Sequence, residues 1–145
     1  MTFDVDKQPH RRFNPLTGEW VLVSPHRTRR PWQGRQERTA DPQRPPYDPT
    51  CYLCPGNRRA SGAINEPYTG TFVFTNDFAA LSPEEAPGGA SASDLFRLEP
   101  VRGTCRVICF SPRHNVTLPD RSEDEIVGVV RVWMSQTEEL LQTYR

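Results

Sequence analysis

Two cysteines in one short turn are the feature that most constrains how this chain can fold. Cys51 and Cys54 are separated by two residues, with Pro49 before them and Pro55 after them. This spacing lets two thiolates bind one metal ion, and a tetrahedral zinc site then needs two more ligands from elsewhere in the chain. The alternative is a reduced structural pair. Redox use would require a βαβ setting, which the surrounding sequence does not indicate.

The best candidate for a third ligand is His114, which lies in a proline-flanked loop directly after an apolar strand. Cys105 and Cys109 are poorer candidates, because alternation along a strand places both on a face that also carries an apolar side chain. The two remaining histidines, His10 and His26, belong to the N-terminal segment. The spacing therefore predicts three ligands and leaves the fourth unassigned.

Composition predicts a thin core surrounded by irregular segments. Of the 145 residues, 15 are proline and only 35% are hydrophobic, which is proline-rich and apolar-poor for a globular chain. Residues 82–100 contain a low-complexity run of alanine, glycine and serine, and we predict a mobile loop there. The 18 basic and 18 acidic residues cancel, so no overall field attracts nucleic acid or a membrane surface.

Neither a signal peptide nor a membrane-spanning apolar run is recognisable in the sequence. Four cysteines without a secretory signal favour a reducing, cytoplasmic setting over disulfide bonding.

Strands are predicted in three segments. Asn14-Pro15 and Gly18 mark a turn, so residues 11–23 are expected to form a β-hairpin whose second strand, Glu19–Val23, is apolar on both faces and largely buried. β-Branched and aromatic residues predict two further strands, at 71–75 and 102–110.

A helix is predicted to begin at the capping box Ser122-Glu123-Asp124-Glu125. Helical spacing places a set of mostly apolar residues on one stripe that should pack onto a sheet. The members of the stripe are Ile126, Val129, Val130, Trp133, Thr137, Leu140 and Leu141.

Two polar clusters are candidate binding sites. Arg27, Arg29 and Arg30 lie on a loop between prolines, where guanidinium forks could bind phosphate oxygens; a solvated run of charge is the alternative. Asn76 and Asp77 follow the strand at 71–75 and indicate either a simple turn or a nucleoside contact. In the second case the carboxylate would accept hydrogen bonds from both ribose hydroxyls, and the adjacent ring could cover a base.

Several long strings of this sequence resemble the N-terminal part of the galactose-1-phosphate uridylyltransferases, a family of the histidine triad superfamily. The resemblance covers nearly all 145 residues and keeps the family's order. The strings are residues 11–20, 24–27, 30–34, 51–54, 72–81, 102–103 and 109–112, with His114.

The resemblance implies an α+β fold, an antiparallel β-sheet with packed helices that is histidine-triad-like. It implies a nucleotidyltransferase of galactose metabolism that exchanges a uridylyl group between UDP-glucose and galactose-1-phosphate, yielding UDP-galactose, through a covalent uridylyl-histidine. It further implies zinc ligands at Cys51, Cys54 and His114. The implied contacts to the UDP-sugar are Ala60, Asn76, Asp77, Phe78 and Ala79. Arg27, Thr28, Arg29 and Arg30 would reach the nucleotide bound by the partner subunit of a homodimer.

The sequence departs from the family pattern in one respect: it contains no His-Pro-His motif. We expect the nucleophilic histidine and the fourth zinc ligand to lie beyond Arg145. On this interpretation residues 1–145 are a truncated N-terminal uridylyltransferase domain, with a fold that is incomplete at its C-terminus and no turnover by itself. The alternatives are a zinc-dependent nucleotide- or nucleic-acid-binding module without catalysis, which zero net charge disfavours, and a structural remnant.

Overall fold

A computed structural model describes residues 3–30, 44–84, 88, 93 and 95–144. Residues 31–34 of the 30–34 string, and residues 85–87, 89–92 and 94 of the predicted mobile loop at 82–100, lie outside the described residues. The chain separates into two compact units. The first unit comprises Met1–Trp32, Phe78–Cys105 and Tyr144, and the second comprises Gln33–Asp77, Arg106–Thr143 and Arg145.

The first unit is built on a three-stranded antiparallel sheet of β1 (His10–Asn14), β2 (Glu19–Val23) and β4 (Leu98–Pro100). The strand order is β2-β1-β4. The hairpin prediction is therefore confirmed, and β4 occupies the last three residues of the predicted loop. Gly18 closes the hairpin turn at a φ of 71°, and its N–H donates to the Asn14 carbonyl at 2.9 Å; a positive φ of this size favours glycine.

The second strand of the hairpin is not largely buried, as the sequence suggested. Val21 is 53% exposed and Leu22 is also exposed. The reason is topological: β2 is at the edge of the sheet and pairs with β1 on one side only among the described residues. Apolar residues on both faces of a strand indicate burial only where other elements cover both faces.

In the second unit, β3 (Phe72–Thr75) pairs antiparallel with β5 (Arg106–Cys109). Both strands were predicted, although β5 is shorter than the segment 102–110. The buried hydrophobic residues among those described all belong to this unit: Cys54, Tyr68, Cys109 and Val129. The core is thin, as the low apolar content predicted.

The helix α1 (Glu123–Thr143) begins where the capping box predicts. The Ser122 hydroxyl accepts from the Glu125 N–H at 3.3 Å, and the Glu125 carboxylate accepts from the Ser122 N–H at 2.9 Å. Together these two bonds satisfy a donor inside the helix and one just outside it.

The predicted stripe on α1 is only partly correct. Val129 is 2% exposed, whereas Val130, Leu141 and Trp133 are exposed, Trp133 by 47%. The less exposed positions of the helix include Ile126, Val129, Val132, Gln136 and Leu140. The inward face is therefore rotated to one side of the predicted stripe. Apolar residues occur on both flanks of this helix, and residue type therefore cannot identify the inward one.

These elements confirm the predicted α+β class with antiparallel sheets and a packed helix. A bidentate ion pair joins the helix to β5, with the Arg106 guanidinium 2.6 and 2.8 Å from the two carboxylate oxygens of Glu139. Among the described residues, α1 and the other helical segments are too short or too polar to cross a bilayer.

Removing the cap should destabilise the second unit. We expect Ser122→Ala to lower the free energy of unfolding by about 1 kcal/mol, measured by urea denaturation at neutral pH. The matched control is Ser135→Ala at an exposed position within α1, which should be neutral or slightly stabilising because alanine favours helix. Equal losses in the two variants would contradict the capping role.

The hydrogen bond from the Ser122 N–H holds the pKa of the Glu125 carboxyl below its usual range. The contribution of this carboxylate to the free energy of unfolding is therefore fully present above its unfolded pKa, and it is lost as the pH falls through its folded pKa.

Candidate metal centre and nucleotide site

The metal loop, which we define as Cys51–Cys54, is a tight turn. The Cys51 N–H donates to the Asp48 carbonyl at 3.1 Å, and the Cys54 N–H donates to the Cys51 carbonyl at 3.4 Å. The Leu53 N–H lies 3.4 Å from the Cys51 sulfur, a contact that would stabilise a thiolate. Both sulfurs are thus brought to one side of a single turn.

His114 completes a cluster with the two cysteines, as the sequence predicted. Its Nδ1 lies 3.6 Å from the Cys54 sulfur, and the ligand atoms of Cys51, Cys54 and His114 all lie within 4.8 Å of one another. His114 lies in the loop 110–117, which we call the histidine loop. The His114 N–H donates to the Pro46 carbonyl at 2.8 Å, and this bond ties the histidine loop to the segment that leads into the metal loop.

The geometry fits a zinc-like ion. Ligand bonds of about 2.3 Å to sulfur and about 2.1 Å to nitrogen at a tetrahedral angle place the two ligand atoms about 3.6 Å apart. The Cys54-to-His114 distance is 3.6 Å. Burial raises the pKa of the Cys54 thiol in the metal-free chain, so an ion that binds here must displace a proton.

A cavity of about 280 Å³ has all three ligand side chains in its wall. Leu53, Phe110 and Val116 line much of the remainder. The cluster found among the described residues contains none of the other candidates, Cys105, Cys109, His10 and His26.

The two histidines outside the cluster have other partners. His10 is fully buried, with Nδ1 2.9 Å from the Gln8 carbonyl and Nε2 accepting from the Arg12 Nε at 3.0 Å. In the first unit, the His26 Nε2 lies 2.7 Å from the Ala79 carbonyl.

Cys109 is buried, and this burial raises the pKa of its thiol. Both features fit a small core residue.

Asp77 and Ala60 are brought together in the second unit. One Asp77 carboxylate oxygen lies 3.4 Å from the Arg59 Nε, and the other accepts from the Ser61 N–H at 3.3 Å. Ala60 is the residue between these two partners. Because a carboxylate can accept about four hydrogen bonds, Asp77 is oriented by its neighbours yet retains capacity for further donors such as hydroxyls.

The Arg59 guanidinium also lies over the Phe74 ring, 4.1 Å from its centroid. Its loop is closed by Gly62, at a φ of 91°, whose N–H donates to the Arg59 carbonyl at 2.9 Å. The sequence alone does not indicate a role for Arg59, because nothing in it shows that the segments carrying Arg59 and Asp77 meet.

The predicted arginine cluster forms a short 3-10 helix, Pro25–Arg29, in the first unit. Arg27, Thr28, Arg29 and Arg30 are all exposed, and none of the three guanidiniums forms an ion pair with a carboxylate of the described chain. An open cleft of about 550 Å³ is lined by Arg27, Thr28 and Arg30 together with Leu22, Ser24 and Ala80. This surface can bind an anion.

The other residues predicted to contact the UDP-sugar are Asn76, Phe78 and Ala79, which lie beside Asp77 in the sequence. Asn76 directly follows β3 and belongs to the second unit, whereas Phe78 and Ala79 belong to the first. The Arg30 guanidinium lies 5.9 Å from the Phe78 ring centroid.

Comparison with known proteins places the whole chain in one family. The family described as galactose-1-phosphate uridyl transferase, N-terminal domain, matches residues 1–145. A galactose-1-phosphate uridylyltransferase of Haemophilus influenzae is 51% identical over 144 residues, covering 99% of this chain and 41% of that protein. Proteins of the same name from Saccharomyces cerevisiae and Rattus norvegicus are 46% and 50% identical, each over 99% of this chain, and this chain spans 41% and 38% of their length.

Solved structures agree on the fold. A uridylyltransferase structure superposes with a TM-score of 0.61 at 26% identity, covering 90% of this chain and 35% of that one. A mutant uridylyltransferase gives a TM-score of 0.60 at 22% identity, with 90% and 34% coverage.

The metal cluster should be detectable with cobalt as a probe. Titration of the reduced chain with Co²⁺ should produce a sulfur-to-cobalt charge-transfer band, because two thiolates bind the ion. Cys51→Ser should abolish or greatly weaken this band, whereas Cys105→Ser, outside the cluster, should leave it unchanged. A band of equal intensity in wild type and Cys51→Ser would place the metal elsewhere.

Proposed function

Since the chain belongs to the galactose-1-phosphate uridyl transferase family, we propose that it forms the N-terminal part of a cytoplasmic uridylyltransferase that acts on UDP-glucose and galactose-1-phosphate. The observation that carries the proposal is the family match over the whole chain, with 51% identity to the Haemophilus influenzae relative. In the proposed reaction a histidine nitrogen attacks the α-phosphorus of UDP-glucose and releases glucose-1-phosphate. The phosphate of galactose-1-phosphate then attacks the uridylyl-histidine, forming UDP-galactose and regenerating the imidazole.

The residues of this chain would bind and orient the nucleotide. Asn76 and Asp77 would contact the ribose, with Ala60, Phe78 and Ala79 beside the nucleotide. Support for the role of Asp77 comes from its carboxylate, which Arg59 and Ser61 hold in one orientation. A preset acceptor loses less freedom when it binds hydroxyls.

The arginine cluster would bind phosphate oxygens of the nucleotide held by the partner subunit of a homodimer. Its exposure and its lack of carboxylate partners in the described chain fit this role. Guanidiniums that hold these oxygens stabilise the negative charge that develops during transfer. The nucleophilic imidazole would come from residues outside 1–145, which contain no His-Pro-His.

Zinc is the metal that the donor set favours, because two thiolates and an imidazole are typical zinc ligands. Cys51, Cys54 and His114 would hold it, and its bonds would cross-link the metal loop to the histidine loop. We assign it a structural role in this chain.

Asp77 should determine selectivity for ribose. We expect wild type to bind UMP more tightly than 2′-deoxy-UMP, and Asp77→Asn to lose about tenfold in UMP affinity because a hydrogen bond to a charged group is removed. Calorimetry with both nucleotides measures this. Asp6→Asn, an exposed carboxylate in the first unit, is the control. Undiminished preference for UMP in Asp77→Asn would contradict the ribose contact.

The arginine cluster should contribute only where two chains meet. Arg27→Ala should weaken UDP-glucose binding by about one to two decades in a dimeric sample and should have little effect in verified monomers. Arg131→Ala, at an exposed position on α1, controls for the loss of one positive charge. Sedimentation measured at the concentration of the titration fixes the oligomeric state. An equal loss in monomers would place Arg27 at its own chain's nucleotide.

A further inference from the structure

Three side chains donate hydrogen bonds to the backbone carbonyls of the metal loop. The Asn57 amide donates to the carbonyls of Asp48 and Cys51, each at 2.8 Å. The Asn65 amide donates to the carbonyls of Tyr52 and Cys54 at 2.8 and 3.0 Å.

The third donor, Tyr68, bonds to the one carbonyl of the metal loop that accepts from neither asparagine. The Tyr68 hydroxyl donates to the Leu53 carbonyl at 2.5 Å. All four carbonyls of the metal loop therefore accept from side chains that follow it in the sequence. Because the donors come from outside the loop, they can hold its shape independently of a metal ion.

Each donor is itself fixed in place. Asn65 is 2% exposed, and its backbone N–H donates to the Asn57 carbonyl at 2.9 Å. The Asn57 side-chain oxygen accepts from the Tyr47 hydroxyl at 2.5 Å. The Tyr68 ring stacks on Phe72 with centroids 4.8 Å apart.

The orientation of the Asn65 side-chain amide is the strongest evidence that this residue acts as a hydrogen-bond donor. Its side-chain oxygen is buried without a hydrogen-bond partner among the described residues, which is unfavourable. Turning the amide over would place that oxygen against two carbonyl oxygens, which is worse. The observed orientation therefore gives up one acceptor in order to satisfy two carbonyls of the metal loop.

We propose that Asn57, Asn65 and Tyr68 are positioning residues that hold the metal loop in its metal-binding conformation before the ion arrives. The inference rests on the proposed metal site. A loop already fixed by its neighbours loses less conformational freedom on binding, so the ion binds more tightly. Groups that orient metal ligands without binding the ion themselves typically change metal affinity by about 10–100-fold.

Two nearly isosteric variants test the proposal in the complete 145-residue chain. Asn65→Asp replaces the donating amide nitrogen with an acceptor, and Tyr68→Phe removes one hydroxyl while keeping the ring that stacks on Phe72. We expect the Co²⁺ affinity, measured by competition with a chromophoric chelator, to fall by about 10–100-fold in Asn65→Asp, and by less in Tyr68→Phe. The saturated Co²⁺ spectrum should be unchanged, because the ligands are the same. Asn14→Asp and Tyr144→Phe, in the first unit, should bind like wild type.

Hydrogen exchange separates positioning from a general loss of stability. In wild type the amides of Leu53 and Cys54 should be protected already in chelator, and Zn²⁺ should add little. In Asn65→Asp their protection should appear only with Zn²⁺, while the amides of β3 and β5 exchange as in wild type.

Wild-type affinity and wild-type exchange in either variant, in a chain that binds Co²⁺, would overturn the positioning role and leave the metal site intact. Absence of a thiolate-to-cobalt band in wild type would overturn the metal site and this inference together. If Asn65→Asp does not fold, unchanged affinity and exchange in Tyr68→Phe overturn the proposal.

Discussion

The backbone carbonyls of the metal loop impose the constraint on which the second unit depends. These carbonyls accept hydrogen bonds from Asn57, Asn65 and Tyr68, of which the bond from Asn65 to the Cys54 carbonyl is buried. For these bonds to form, the segment that follows the loop must fold back over it, which the bond from the Asn65 N–H to the Asn57 carbonyl stabilises. These hydrogen bonds hold the segment between the cysteines and β3 against the metal loop.

A continuous series of contacts leads from the metal loop to the proposed nucleotide site. Tyr68 stacks on Phe72, and Phe72 lies 5.5 Å from Phe74 between ring centroids. The Arg59 guanidinium covers Phe74, and its Nε lies 3.4 Å from the Asp77 carboxylate. The aromatic residues of β3 thus connect the candidate metal cluster with the Asp77 carboxylate.

Local signals in the sequence predicted the hairpin, β3, β5 and the start of α1, whereas β4 lies in a segment that was predicted to be a loop. The turn at Gly18, the strand at 72–75 and the cap at Ser122 each depend on neighbours within a few residues, and each prediction is confirmed. Burial was predicted less well: Val21 and Trp133 are exposed although their neighbours in sequence are apolar. Burial depends on which elements cover a face, and periodicity gives only the direction in which a side chain points relative to its neighbours.

The sequence by itself determined the family resemblance, which implied the α+β class, and the candidate ligands Cys51, Cys54 and His114, because metal ligation limits both the ligand types and the cysteine spacing. Only the tertiary structure decided that Asn57, Asn65 and Tyr68 support the metal loop and that Arg59 holds Asp77. Asparagine, tyrosine and arginine occur in turns and on surfaces for many reasons, so their residue type carries no information about a distant partner. The hydrogen bonds that define their roles exist only after the chain has folded back on itself.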